Sequence, residues 1–299
     1  MKIGVKHRSI LAGLAGAAFV LATPAMAGEP LFGYVYTTDV MPKGKTEIEQ
    51  WVTLREDQAN GHFHDVKLRT EVEHGITDNF QISGYLNTSY ISANRNSVNG
   101  TTEGLDIPPA HDPARPYNKF RFDTVSAEMI WRVMSPYKKP FGLAFYVEPE
   151  IGPHERAIEL KVIAQKNFLD DRLVLAANAF VEFEHEEQDG EVEKATQLEF
   201  DAGASYRFRP NWSFGIEYRN HNEFVGYTLG HGSQEHTAHF VGPNIHYANQ
   251  KWFFTLSALY QIHAKGYNDE QRDNIVNGRI YGDEHTRWDG IRLKIGRVF

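Results

Sequence analysis

The last nine residues read Ile291-Arg292-Leu293-Lys294-Ile295-Gly296-Arg297-Val298-Phe299. Ile291, Leu293, Ile295 and Phe299 share one face of an extended chain, while Arg292 and Lys294 share the other. The same period of two recurs upstream. Trp252, Phe254, Leu256, Ala258, Tyr260 and Ile262 oppose Thr255, Ser257, Gln261 and His263. Leu198, Phe200, Ala202, Ala204, Tyr206 and Phe208 oppose Glu199, Asp201, Ser205 and Arg207, and Trp212, Phe214, Ile216 and Tyr218 oppose Glu217, Arg219 and His221. Read along the whole chain, the pattern predicts strands near 46–55, 63–74, 79–92, 119–134, 141–151, 155–166, 172–185, 195–208, 212–223, 236–247, 251–264 and 288–299.

The chain's start fits export. Lys2, Lys6 and Arg8 precede a short apolar run from Ile10 to Ala22, and Ala25-Met26-Ala27 supplies a small-x-small cleavage pattern. The expected division is a signal peptide over 1–27 and a single domain over 28–299; the alternative is an uncleaved anchor. No Cys follows the cleavage pattern, so lipidation there is excluded, and the chain offers no disulfide or thiolate chemistry. The leader carries three of the 31 basic residues and no acid. The remainder has 28 against 39, a formal charge of −11. That balance disfavours a nucleic-acid partner. Mean hydropathy is −0.48, and no later stretch approaches the run of about 20 apolar residues that a spanning helix needs. A membrane span must then be a strand, and strands satisfy their backbone groups in lipid only in a closed barrel.

The connections alternate in length. Those at 75–79, 135–140, 167–171, 209–211 and 248–250 are short; the other set includes 94–118, 186–193, 224–235 and 265–287, with 58–61 and 152–154 short as well. Short turns on one rim and longer loops on the other fit an outer-membrane barrel. Phe80, Phe141, Phe168, Phe208, Trp212, Tyr247, Trp252 and Phe299 flank the short turns, where an interfacial girdle belongs. A soluble barrel or sandwich also alternates, but would bury its large aromatics mid-strand. The reading is an all-β, transmembrane, antiparallel up-and-down β-barrel of about twelve strands. An even count puts both termini on the periplasmic side of a Gram-negative outer membrane. The implied partners are outer-membrane lipid, lipopolysaccharide and, during biogenesis, the barrel-assembly machinery.

The terminal segment 291–299 resembles the assembly signal of bacterial outer-membrane barrels, which ends in an aromatic (here Phe299) preceded by apolar residues at alternate positions. Arg297 departs from that pattern. More widely the chain resembles an uncharacterised family of proteobacterial outer-membrane barrels, a domain of unknown function. The resemblance rests on Glu49-Gln50-Trp51-Val52, Tyr146-Val147-Glu148-Pro149, Gln165-Lys166-Asn167-Phe168 and Gly242-Pro243-Asn244-Ile245-His246-Tyr247 with Trp252 following. It implies location and fold, and carries over no activity.

If the apolar face meets lipid, the polar face lines the lumen. Glu148, Glu150, Glu159, Glu182, Glu184, Glu199 and Asp201 fall on the fifth to eighth strands, and Arg55, Lys67, Arg69, Arg292 and Lys294 on the twelfth, first and second. These walls stand opposite one another. Either their side chains pair and close the lumen, or they set a transverse field in a narrow pore for small solutes. In the conducting case, current should weaken when Glu148 and Glu150 are neutralised. A surface enzyme such as a lipid hydrolase is the rival from another class, since Ser233 lies between His231 and His236. His62, His64, Asp65, His154, His185, His231, His236, His239 and His285 crowd the expected outer rim; no spacing repeats a known metal site, so they read as a solvated loop surface. No catalytic residue, cofactor or metal is expected from the sequence, and no phosphate-cradling loop or nucleotide fingerprint occurs.

Overall fold

In the computed structural model, which describes residues 30–188, 191–282 and 285–299, the alternating runs pair edge to edge until the sheet meets itself. The long strands are β1 (Thr46–Glu56), β2 (His62–Thr77), β3 (Phe80–Asn94), β4 (Tyr117–Met134), β5 (Gly142–Ile151), β6 (Glu155–Phe168), β7 (Leu173–Gln188), β8 (Glu191–Arg209), β9 (Trp212–Val225), β10 (Gln234–Ala248) and β11 (Trp252–Gly266). After β11 come a one-turn helix α1 (Asp269–Asp273) and a two-stranded hairpin, β12 (Ile275–Val276) and β13 (Arg279–Ile280). The final strand, β14 (Trp288–Val298), pairs with β11 on one side and β1 on the other, closing an antiparallel barrel of twelve strands. Closure removes the unpaired edges that lipid would not tolerate.

The pleat sends the two side-chain sets to opposite sides of the wall. Phe214 is 55% exposed and Leu256 45%, whereas Glu199 and Asp201 are buried. Ile82, Leu86, Leu160, Val162, Leu175, Phe200 and Ile216 join the exposed apolar set. Trp131, Phe141, Phe145, Phe168, Phe208, Trp212, Trp252 and Phe299 are exposed near the short-turn rim. Arg297, the departure from the terminal pattern, lies against this girdle, its guanidinium 5.2 Å from the Trp252 ring and 4.9 Å from that of Phe299. Among the described residues, no helix is long and apolar enough to cross a membrane.

Strict alternation fails at several bulges, among them one on β11 and one on β14. His239 pairs with His263, but Phe240 pairs with Gln261, so Ile262 is an extra residue on β11. Gln261 keeps its inward place, yet beyond the bulge Ala264 is buried and His263 is exposed. Unbroken alternation places His263 inside; the extra residue flips the face. On β14 the register jumps between Trp288 and Gly290, and the inserted Asp289 turns inward.

Candidate functional site

The lumen is occupied by the chain itself. Residues 30–42, ahead of β1, run inside the barrel as a strap with no ladder partner. A backbone inside a barrel still needs hydrogen bonds. Wall side chains supply them. Glu217 on β9 accepts from the backbone N–H groups of Gly33 (2.9 Å), Tyr34 (2.7 Å) and Val35 (3.2 Å). Asn178 on β7 grips Tyr36 at both ends, accepting from its N–H at 2.7 Å and donating to its carbonyl at 2.9 Å. Gln165 on β6 accepts from Thr38 N–H and Gln81 on β3 from Met41 N–H, each at 2.7 Å. Thr255 donates to the Pro30 carbonyl at 2.6 Å, and Arg292 to that of Gly33 at 3.1 Å.

Packing reinforces this polar grip. Phe32, Val35, Thr38, Val40 and Met41 are buried, Phe32 against Ala176 and Val40 against Ile130, Ala144, Tyr146 and Ile163. The wall leaves room by using glycine. A Cβ on Gly203 would come within 2.7 Å of the Phe32 ring, and one on Gly290 would collide with the Tyr34 hydroxyl.

Above the strap, toward the long-loop rim, lies a cavity of about 400 Å³. Tyr34 and Tyr36 contribute to its lining from the strap, and Pro153, His154, Glu155 and Glu186 from the rim. Nine carboxylates and six Lys or Arg side chains line it. A smaller space of about 40 Å³ is lined by Glu49, Glu71, Glu73, Glu128 and Lys294 with the strap. The loops between β3 and β4 and between β11 and β14 fold against one another: Leu105 N–H donates to the Gly282 carbonyl, while Gln58 donates to the carbonyls of Gly282 and His285. Asp106 from the first of these loops pairs with Lys67 at 3.1 Å and Arg121 at 2.9 Å. Burial alone would raise its carboxyl pKa, but Lys67, Arg121 and Arg55 outweigh burial and hold it below the usual carboxylate range.

The expected charged walls are partly joined and partly separated by the strap. Arg69 on β2 reaches Glu148 on β5, which also accepts from Ser126 and Tyr146. Arg69 stacks over Tyr85 as well, 3.6 Å from the ring centroid. Arg55 pairs with Asp289 at 3.0 Å, and Asp289 in turn with Arg219 at 3.0 Å. Arg219 meets Glu199 at 2.6 Å. Arg292 lies over the Tyr34 ring at 3.8 Å and Lys294 over that of Trp51 at 3.7 Å. Glu150 accepts from Thr124 at 2.5 Å, Glu159 meets Lys161 at 2.6 Å, and Glu182 stands between Glu159 and Gln197 in the ladder. Asp201 is opposite Arg219 across the β8–β9 pair.

Two sequence readings change at the long-loop end. His236 and His285, read as part of a solvated rim, are 0% and 2% exposed, because β10 turns the first ring inward and the loop before β14 carries the second down onto it. There they meet His221. Ser233 does not face His236: its hydroxyl donates to the Gly230 carbonyl, whereas the His236 ring meets His285. The strap carries little sequence signal: Phe32-Gly33-Tyr34-Val35-Tyr36 alternates like any short strand, and what sets it apart is an aromatic run with glycine ahead of the first ladder strand.

A closed twelve-stranded barrel with an apolar exterior and an ionic interior has the fold of an outer-membrane β-barrel protein. Residues 24–299 match the model of a family of unknown function, DUF6662, and the chain belongs to that family. No protein of curated function matches it in sequence. Among solved structures it is similar in fold to the COG4313 outer membrane channel from Pseudomonas putida F1 (TM-score 0.52, 10% identity, 87% of this chain and 97% of that one). The NanC porin gives a TM-score of 0.48 at 10% identity over 85% and 98% of the two chains. The KdgM porin in complex with disordered oligogalacturonate gives 0.44 at 11% identity over the same shares.

Proposed function

We propose that this protein is an outer-membrane channel for small polar solutes whose strap, residues 30–42, holds it closed in the state described. The supporting observation is how the strap is fixed. It crosses the lumen on side-chain hydrogen bonds from β3, β6, β7, β9, β11 and β14, with none of the ladder bonds that make a permanent strand. Such a segment can leave without opening the wall. The cavity above it is already large enough for several water molecules or one small solute.

On this reading the leader 1–27 is removed on export, which leaves the strap a free end close to its anchor on Thr255. Both termini then lie on the periplasmic side, and release draws the strap out through the short-turn rim. The excess of carboxylates over cationic groups around the cavity favours cations in the open state. The lumen candidates divide by role: Arg292 belongs to the closure, while Glu150, Glu159 and Lys67 line the path. Outer-membrane lipid and lipopolysaccharide surround the apolar face, and the terminal segment ending in Phe299 is handed to the assembly machinery.

A second reading, a barrel that never conducts, draws on the Arg69–Glu148 pair that ties two walls together. Planar-bilayer recording separates the two. Folded wild-type protein should be nearly silent, and a chain lacking residues 30–41 should give discrete conductance steps. Silence from the folded deletion variant would refute the channel and leave the permanently closed barrel.

A further inference from the structure

Three imidazoles meet in the long-loop half of the lumen. His221 comes from β9, His236 from β10 and His285 from the loop that returns to β14. All three are at least 98% buried. One ring nitrogen from each lies within 4.8 Å of the other two. His236 Nε2 and His285 Nε2 are 3.1 Å apart, and His221 Nε2 is buried without a hydrogen-bond partner. Phe240 packs on the His285 ring at 5.0 Å and shields one flank.

The opposite edge of each ring faces a carboxylate. His221 Nδ1 lies 3.0 Å from Glu199 Oε2, His285 Nδ1 3.5 Å from Asp289 Oδ1, and His236 Nδ1 3.7 Å from Glu223 Oε2. A carboxylate behind a ligating histidine fixes the tautomer that presents a bare Nε2 and makes that nitrogen a better donor. Two nitrogens bound at about 2.0–2.1 Å on a tetrahedral centre stand about 3.3 Å apart. The His236–His285 separation is already within a few tenths of an ångström of that value. The third ring, that of His221, has its centroid 4.9 Å from that of His285 and 5.6 Å from that of His236.

We propose that His221, His236 and His285 form a binding site for a divalent transition metal ion, with zinc the best chemical match, backed by Glu199, Glu223 and Asp289. Three neutral imidazoles and one water complete a tetrahedral shell. The surrounding carboxylates meet the ion's charge; Arg219 and Arg55 already face two of them, so the ion enters a pocket whose charges are nearly balanced. Because His285 arrives on a loop and the other two ligands on the wall, a bound ion would pin that loop across the outer mouth.

The test uses the full barrel, purified in detergent and stripped with chelator. Titration with Zn²⁺ should show saturable heat at micromolar metal with one ion per chain. Co²⁺ should give the intense visible bands of a tetrahedral site. His236→Gln and His285→Gln should weaken binding at least 100-fold, and Glu199→Gln about 10- to 100-fold, by loosening a ligand's orientation. His263→Gln, on an exposed ring, should change nothing. If a lumen variant fails to fold, X-ray absorption at the zinc edge of the wild-type protein decides instead, with three imidazole nitrogens at about 2.0–2.1 Å expected. No saturable heat and no visible bands from the wild type, undiminished binding in the His236 and His285 variants, or fewer than two imidazoles in the absorption spectrum would each overturn the site.

Discussion

Removing the Glu217 carboxylate should open the channel more than any other single change to the wall. Its two oxygens accept three consecutive backbone N–H groups of the strap, and also bonds from Asn244 and Ser257 at 2.9 and 2.8 Å. A hydrogen bond to a charged acceptor contributes about 1.5 kcal/mol net, so three come to about 4.5 kcal/mol. In Glu217→Ala, water fills the space vacated and recovers part of this, leaving about 3 kcal/mol, a rise of about 150-fold in the open-to-closed ratio. Glu217→Gln keeps one acceptor oxygen and should shift the ratio by only about tenfold, about 1.4 kcal/mol. Open probability in planar bilayers measures both, with heat-dependent gel mobility confirming a folded barrel. If Glu217→Ala changes open probability less than threefold while deletion of residues 30–41 still opens the pore, the nest of N–H bonds is not what holds the strap.

Further outcomes follow from the same geometry. Gly203→Val places a side chain where the Phe32 ring sits and should raise open probability while leaving the strap's own sequence intact; unchanged closure would refute that packing. In the strap-deleted channel, Glu150→Gln should lower cation preference, measured by reversal potential, more than Glu148→Gln, because Glu148 is already neutralised by Arg69. The Asp106 clamp has a depressed carboxyl pKa, so it is fully formed above the unfolded value of about 4 and is lost as pH falls from there toward the lower folded value. Protection factors across residues 97–107, which cancel the intrinsic dependence of amide exchange on pH, should therefore fall on acidification below about 4, and protection that stays constant or rises there would contradict it. Leu256→Arg should destabilise the barrel by about 2–4 kcal/mol in lipid-based unfolding assays if it faces hydrocarbon near the bilayer midplane.

The sequence revealed the wall more readily than what fills it. Each of the twelve barrel strands begins and ends within a few residues of its expected place, because a lipid-facing pleat leaves a period-two record at nearly every position. The record breaks where one residue is inserted, as at Asp123, Ile262 and Asp289, and alternation alone cannot announce an insertion. The charged residues were legible as one face of the strands, but their partners were not: Arg292 meets the strap, Lys67 meets Asp106 in a loop, and only the closed structure brings such distant residues together. The histidine cluster was hidden for the same reason, since residues 221, 236 and 285 share no local spacing and the third arrives on a loop. The hairpin of β12 and β13 is likewise set by tertiary contact: Gln261 bonds Ile280 at both its N–H and its carbonyl, and Ile280 packs on Phe240 and Leu259.

The absence of cysteine makes the most direct test simple, because any introduced thiol is unique. Single cysteines at Phe214, Leu256, Glu199 and Arg292, each carrying an environment-sensitive fluorophore in reconstituted bilayers, report which side of the wall meets lipid. Strong quenching by lipid-borne quenchers at 214 and 256, with weak quenching at 199 and 292, is the predicted result. The reverse pattern would contradict an apolar exterior and an ionic lumen.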